Sequence, residues 1–271
     1  MNKLRPKKLN KTTLLDTLMS PEISILIPLV ILCIYTSTVT PAFLQAKNIQ
    51  VILRYTAFIG SLAIGEAFAL MCGEIDLSIG TCSTLAGVIF AVALAVYGTN
   101  LFVAILLAIL VATLVGILNS ALTLLFGMTS WIVTMATQYI CIGFATVICR
   151  GAAISGLGDT VKAMNAARPL GLSWMFFIML GILVITEVLI RFTPIGRAIH
   201  SVGLNPMAAR IAGINVKLTK ALCMIFCSVM GGVCGILQVI NTVAANDALG
   251  KGNEFPAIIC CVIGGVSSAG G

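Results

Sequence analysis

The chain has 271 residues, 59% of them hydrophobic and 9% charged, with a mean hydropathy of +1.12 and a net charge of +7. This balance excludes a soluble globular domain, which needs far less apolar surface at this length. No nucleic-acid partner is needed to explain the positive charge, because anionic lipid at the inner membrane surface suffices.

A basic tail over 1–22 opens the chain and carries Lys3, Arg5, Lys7, Lys8 and Lys11. The first apolar run, 23–40, starts late and is too long for a signal-peptide core of about 7–15 residues. Cys33 follows Leu32 and not a small residue, which argues against a lipoprotein site. Pro41, Lys47 and Asn48 mark a turn. Further spans are predicted over 49–71, 78–97, 101–126, 131–149, 172–191 and 221–240. From Leu77 to Cys149 there is no Asp, Glu, Lys or Arg. A helix needs about 20 apolar residues to cross a hydrocarbon core about 30 Å thick, so this stretch holds about three crossings. Its apolar runs are continuous, whereas barrel strands alternate in segments of about 10 residues.

A mixed segment, 150–171, separates the fifth and sixth spans, and a polar loop, about 192–220, separates the sixth and seventh. A polar stretch from Asn241 to Glu254 precedes a last apolar run beginning at Phe255. The predicted fold is an all-α polytopic transmembrane bundle of about seven full spans plus part of an eighth. It comprises the tail, 1–22, and one transmembrane domain, 23–271. Five of the 16 Lys and Arg residues lie in the tail, and Arg191, Arg197, Arg210, Lys217 and Lys220 surround the loop. The positive-inside rule then places the N-terminus and this loop in the cytoplasm.

Within the loop, Gly203 to Ile214 is written as a short free-standing helix. Asn205 is a good N-cap and Pro206 suits the first helical position. Met207 to Ala212 are mostly strong helix formers. Arg210 in the last turn suits the helix dipole, and Gly213 is a natural left-handed stop. Two readings fit: an ordinary structured loop, or a helix presented to a groove on a soluble partner.

A second polar segment, Gly73 to Gly80, joins two apolar runs with almost no spacer. Gly73 can break the preceding helix, and Asp76 or Ser78 can cap the next. A carboxylate at the centre of a span costs about 2.5–3.5 kcal/mol. The segment reads as a broken helix lining a path, because irregular backbone at depth is tolerated only within protein or beside water. It reads as well as a tight cytoplasmic turn. Glu66 reads as a path-lining group or as one that snorkels to the interface. Asn119, Gln138, Gln238 and Asn241 read as contacts between helices or to a polyol. Glu187 and Arg191 have the spacing of a helical ion pair.

The ten cysteines lie in or beside apolar runs, form no C-x-x-C pair and have only His200 for company. They read as small hydrophobes and not as metal ligands. There is no G-x-x-x-x-G-K-[ST] loop and no catalytic constellation. No metal or cofactor is expected on the chain, and any ATP would be hydrolysed on a partner.

Four segments carry a family resemblance. GEIDLSIG (73–80) resembles the GGIDLSVG signature of bacterial ABC-importer permeases of the ribose/monosaccharide type. GRAIHSVGLNPMAARIAGINV (196–216) resembles that family's cytoplasmic loop, and GKGNEFPAIICCVIGGVSSAGG (250–271) its late glycine-rich motif. PAFLQAKNI (41–49) resembles its PxFLxxxNI segment, so the likeness runs from about Pro41 to Gly271. The resemblance implies a coupling helix that docks on an ATP-binding cassette subunit. Gly203, Asn205, Ala208, Ala209, Gly213 and Ile214 match that motif, with Arg210 beside them.

It implies the membrane subunit of an ATP-driven importer for a small polar solute, foremost a monosaccharide such as ribose. A solute-binding protein and a second permease copy or paralogue would be partners. Glu66, Asp76, Ser78, Asn119, Gln138 and Gln238 are the path candidates. A nucleoside, autoinducer-2 or branched-chain amino acid are the alternative solutes. An ion-coupled secondary transporter, with Glu66 and Asp76 as its candidate ion sites, and a non-transporting remnant are readings of another class. Three departures stand out: Glu74 replaces the signature's second Gly, and Phe255 and Pro256 replace a Leu and an Asp. Family members continue with further spans after the late motif. The expectation is therefore a truncated C-terminus, with the face formed by Gly231, Gly232 and Gly235 short of partners.

Overall fold

The computed structural model describes residues 21–267 and 270, with side chains described from Ile25 onward. The basic tail, Lys3 to Lys11, lies outside the described residues. Eleven α-helices are described: α1 (Pro21–Val39), α2 (Ala46–Met71), α3 (Ile79–Ala95), α4 (Leu101–Leu124), α5 (Ser130–Cys149), α6 (Asp159–Ala166), α7 (Trp174–Phe192), α8 (Pro194–Leu204), α9 (Pro206–Ile211), α10 (Val216–Thr242) and α11 (Glu254–Ile263). A 3-10 turn, Pro169–Gly171, follows α6. The β pairing among the described residues is a single bridge between Ile154 and Ala245, which ties the segment after α5 to the one after α10.

Helices dominate because a segment in lipid has to satisfy its backbone polar groups internally. The predicted spans appear as helices at their predicted places. Five of them, α2, α4, α5, α7 and α10, have the length and hydropathy of a membrane crossing. α3 has 17 residues and α11 has 10. At 1.5 Å per residue α3 reaches about 25 Å, short of a core about 30 Å thick. It is short because its first turn starts inside the bundle.

α10 is the hub and packs against α2, α3 and α4. Small residues let the backbones close up. A Cβ on Gly235 would overlap the Ser83 carbonyl, and one on Gly232 would lie 2.7 Å from the Cβ of Ala112. The face expected to lack partners is therefore filled by α3 and α4. Sequence spacing shows that a face is small but not which earlier helix occupies it. α3 runs parallel to α10, since Ile79 lies by Gly231 and Ser83 by Gly235. α2 runs antiparallel, with Gly65 against Cys227 and Met230 and Cys72 against Cys223. The junction of α2 and α3 thus faces the middle of α10.

On the side away from the loop, Arg54 Nη1 donates to Asn241 Oδ1 at 3.1 Å and ties α2 to α10. This gives Asn241 a helix-joining role. Trp174 Nε1 donates to the Met164 carbonyl at 2.6 Å and fixes α6 to the start of α7. After α10 the chain turns back inward. The Gly250 amide donates to Thr84 Oγ1 at 3.0 Å, and α11 lies along α2, where the Cys261 thiol donates to the Ala63 carbonyl at 3.1 Å.

α8 lies within the segment that the sequence reads as polar loop. Thr193 accepts from the Gly196 amide and Pro194 occupies the first position, so the start signal is present. A Cβ at Gly196 would overlap the Ile190 carbonyl. Only glycine lets α8 fold back this closely on the end of α7.

Candidate functional site

Two features of the bundle are candidates for function: the junction between α2 and α3, and the helix α9. At the junction, α2 closes with Gly73 at a left-handed φ of +75°. The Gly73 amide donates to the Leu70 carbonyl at 2.8 Å and the Glu74 amide to the Ala69 carbonyl at 2.9 Å, a Schellman closure. The next amides find side chains. Ile75 donates to Ser130 Oγ at 3.2 Å, Asp76 to Glu66 Oε1 at 3.1 Å, Leu77 to Thr134 Oγ1 at 3.0 Å and Ser78 to Asp76 Oδ1 at 2.8 Å. Every amide from Cys72 to Ser78 is therefore paired, as irregular backbone inside a bundle requires.

Asp76 is 0% exposed, as are Glu66, Ser78 and Asn119. The Ser78 hydroxyl donates to Asp76 Oδ1 at 2.5 Å and the Ser228 hydroxyl to Asp76 Oδ2 at 3.3 Å. Asn119 Nδ2 donates to Ser78 Oγ at 2.9 Å, and the Cys227 thiol donates to Glu66 Oε2 at 3.3 Å. Four of the six path candidates are thus one network. Two expectations change. Ser78 occupies the N-cap position of α3 but its side chain caps nothing, and Asp76 instead holds the amide of Ser78. Glu66 does not snorkel, because the protein encloses its carboxylate on all sides.

Gln138 is half-buried outside this network, and its Nε2 donates to Glu254 Oε1 at 3.1 Å. Gln238 is buried farther out along α10, and its Oε1 has no partner among the described residues. Glu254, which ends the polar stretch before the last apolar run, is not among the path candidates, yet it opens α11. It is buried, its Oε2 is unpartnered among the described residues, and it crowds Gly80, two residues after Ser78. Asn119 Oδ1 and Thr123 Oγ1 are likewise unpartnered.

Glu74, a departure from the resembled signature, has its own counter-ion. Lys220 Nζ lies 2.7 Å from Glu74 Oε1, with the two side chains 18% and 10% exposed. Glu187 and Arg191 do form their pair along α7, in the open. All ten cysteines are free thiols, and the Cys72 thiol lies 3.3 Å from Cys223.

α9 forms as its residues dictate. Asn205 Oδ1 accepts from the amides of Met207 and Ala208, each at 3.0 Å. Pro206 takes the first position, Arg210 the last turn, and Gly213 turns left-handed at a φ of +84°. The Ile214 amide then returns to the Ala209 carbonyl at 3.0 Å. Gly203 belongs to the last turn of α8. Ala208 and Arg210 are exposed, but Ala209 is only 3% exposed. It packs with Ile199 and Val202 of α8, Phe68, Met71 and Cys72 at the end of α2, and Cys223 of α10. Ala209 therefore faces its own bundle and seats the helix on it. The outward face consists of Met207 and Ile211, the latter 82% exposed, and Leu204, the last residue of α8, is exposed just before it.

The chain is 29% identical to the ribose import permease protein RbsC of Escherichia coli strain K12 over 253 residues, covering 91% of this chain and 78% of that protein. It is 32% identical to RbsC of Bacillus subtilis strain 168 over 245 residues, covering 90% and 76%. With the xylose/arabinose import permease protein XylH of Sulfolobus acidocaldarius it shares 31% identity over 262 residues, covering 89% and 69%. No solved structure matches the chain at a significant level. The family model for the branched-chain amino acid transport system / permease component matches residues 48–271. This chain therefore belongs to that family of multi-pass permeases, a transport component and not an enzyme, with ATP used by a partner ATPase.

Proposed function

We propose that this chain is the membrane-spanning subunit of an ATP-driven importer for a monosaccharide, in the class of ribose, arabinose or xylose. The sugar assignment is supported by the names of the relatives, which are import permeases for those pentoses. α1 and α3 count as crossings beside the five long helices, and α11 is an eighth, partial one. The N-terminus and α9 face the cytoplasm. A solute-binding protein delivers the sugar, and a second permease copy or paralogue completes the path. An ATP-binding cassette subunit receives α9.

The observation that carries this reading is the outward face of α9. Met207 and Ile211 leave a capped, anchored helix with its apolar side uncovered, next to the exposed Leu204 that ends α8. That is the form of a helix laid into a groove on a soluble partner. The network of Glu66, Asp76, Ser78 and Asn119 is where the path is interrupted. The unpartnered acceptors of Asn119, Thr123, Gln238 and Glu254 suit the hydroxyl donors of a sugar.

The test is co-purification with the ATPase subunit. Ile211→Glu changes a side chain that is largely exposed, so membrane insertion and folded yield stay normal while the ATPase is lost. Undiminished ATPase binding by this variant would overturn the docking assignment. Labelled-sugar uptake by the reconstituted complex, compared among ribose, xylose and arabinose, tests the substrate.

A further inference from the structure

We propose that the groove between α7, α8 and the inner half of α10 binds one anionic phospholipid of the inner leaflet. The proposal goes beyond the transport reading and takes from it only that the α9 side of the bundle is cytoplasmic.

The groove is a cavity of about 570 Å³ walled by Leu189, Ile195, Leu218, Leu222, Phe226 and Val229, among others. Its lining is almost wholly apolar. From Leu218 to Val229 it follows α10 for about 17 Å. One leaflet is half of a hydrocarbon core about 30 Å thick, so the groove is one leaflet deep. At its inner end it shares Ile214 and Asn215 with a second cavity, of about 590 Å³, which carries Arg210 and Lys217. Neither cation forms an ion pair among the described residues. No Asp or Glu occurs in the sequence between Glu187 and Asp247 to neutralise them.

An apolar slot one leaflet deep that ends on two unpaired cations matches acyl chains beneath a phosphate. The alternatives fit less of it. A soluble partner reaches Arg210 and Lys217 but cannot fill a slot that rises to Val229. A zwitterionic lipid fills the slot and leaves the cations without net neutralisation. An apolar helix of a second copy does the same. Each Lys or Arg near an anionic surface strengthens attraction roughly fivefold. Two such cations make the preference for anionic over zwitterionic lipid roughly 25-fold.

The experiment uses the full chain in phosphatidylcholine vesicles. The vesicles carry a trace of photoreactive phosphatidylglycerol or, in parallel, photoreactive phosphatidylcholine, and the labelled peptides are mapped. Phosphatidylglycerol is expected to label the Leu218–Val229 segment of α10 well above phosphatidylcholine, toward the 25-fold figure. The double substitution Arg210→Gln, Lys217→Gln alters exposed side chains and is expected to bring the two lipids level. Leu222→Trp fills the slot and is expected to remove labelling by both; circular dichroism and a monodisperse elution profile confirm that each variant is folded. Equal labelling of the unmodified chain by the two lipids overturns the proposal, as does phosphatidylglycerol labelling that survives the double substitution. Loss of labelling once the ATP-binding subunit is added also overturns it, because the groove would then be a protein-docking site.

Discussion

The helix α9 is closed by its own neighbours in the chain, whereas the junction between α2 and α3 is closed by residues far from it. Asn205 serves amides two and three positions on, and Gly213 turns the chain so that Ile214 reaches back to Ala209. At the junction, Ser130 and Thr134 come from α5, Asn119 from α4, Ser228 from α10 and Glu66 from the body of α2. Local closure leaves α9 free to turn an apolar face outward. Long-range closure pins the junction between four helices and out of reach of water. The lesson concerns cost. A group removed from the loop returns its donors to solvent, and one removed from the junction strands them in the interior.

That difference breaks open first at Asp76. Asp76→Leu strands the amide and hydroxyl of Ser78 and the hydroxyl of Ser228. Each buried donor left unmade costs about 1–3 kcal/mol, enough in sum to threaten the whole bundle. The expected outcome is a steep loss of monodisperse protein after extraction. Asp76→Asn keeps one acceptor and is expected to keep the yield while uptake by the reconstituted importer falls. Normal uptake would make Asp76 a purely architectural residue.

A smaller effect sharpens the comparison at the edge of the junction. Glu74→Gln leaves Lys220 facing a neutral amide in a site that is mostly shielded. Exposed pairs contribute about 0–1 kcal/mol and fully buried ones cost 3–5 when halved, so a loss of about 2 kcal/mol is expected. Thermal unfolding of the two single variants and the double variant Glu74→Gln, Lys220→Gln measures the coupling. Strictly additive losses would show that the pair is not coupled. The smallest effect belongs to the loop. Asn205→Ala removes a cap worth about 1 kcal/mol and frays α9 alone. Hydrogen exchange at Met207 and Ala208 is expected to quicken with no change in the yield of the bundle.

What the sequence made legible follows the same division. The cap, the proline, the stop and hence α9 were all readable, because each signal acts within a few residues. The positions of the long helices were readable from continuous apolar runs. Ser130, Thr134, Ser228 and Glu254 were not singled out. Thr134 and Ser228 are lone polar residues within apolar runs, Ser130 and Glu254 stand at the edges of such runs, and what each does depends on which helices adjoin. Glu66 stood between two readings until Asp76 and Cys227 were seen on either side of it. The face that Ala209 takes was not readable for a related reason. A small residue on a short helix suits either face, and its inward turn is fixed by α8, a helix within a segment whose composition reads as polar loop.

The seating of Ala209 has a mechanical consequence. It shares one close-packed cluster with Phe68, Met71 and Cys72, the last residues before Gly73. Packed interiors transmit displacement instead of absorbing it. A displacement of α9 is therefore passed, through the cluster that seats Ala209, to the root of the junction that holds Asp76. Two segments more than a hundred positions apart in the chain work as the handle and the bolt of one latch.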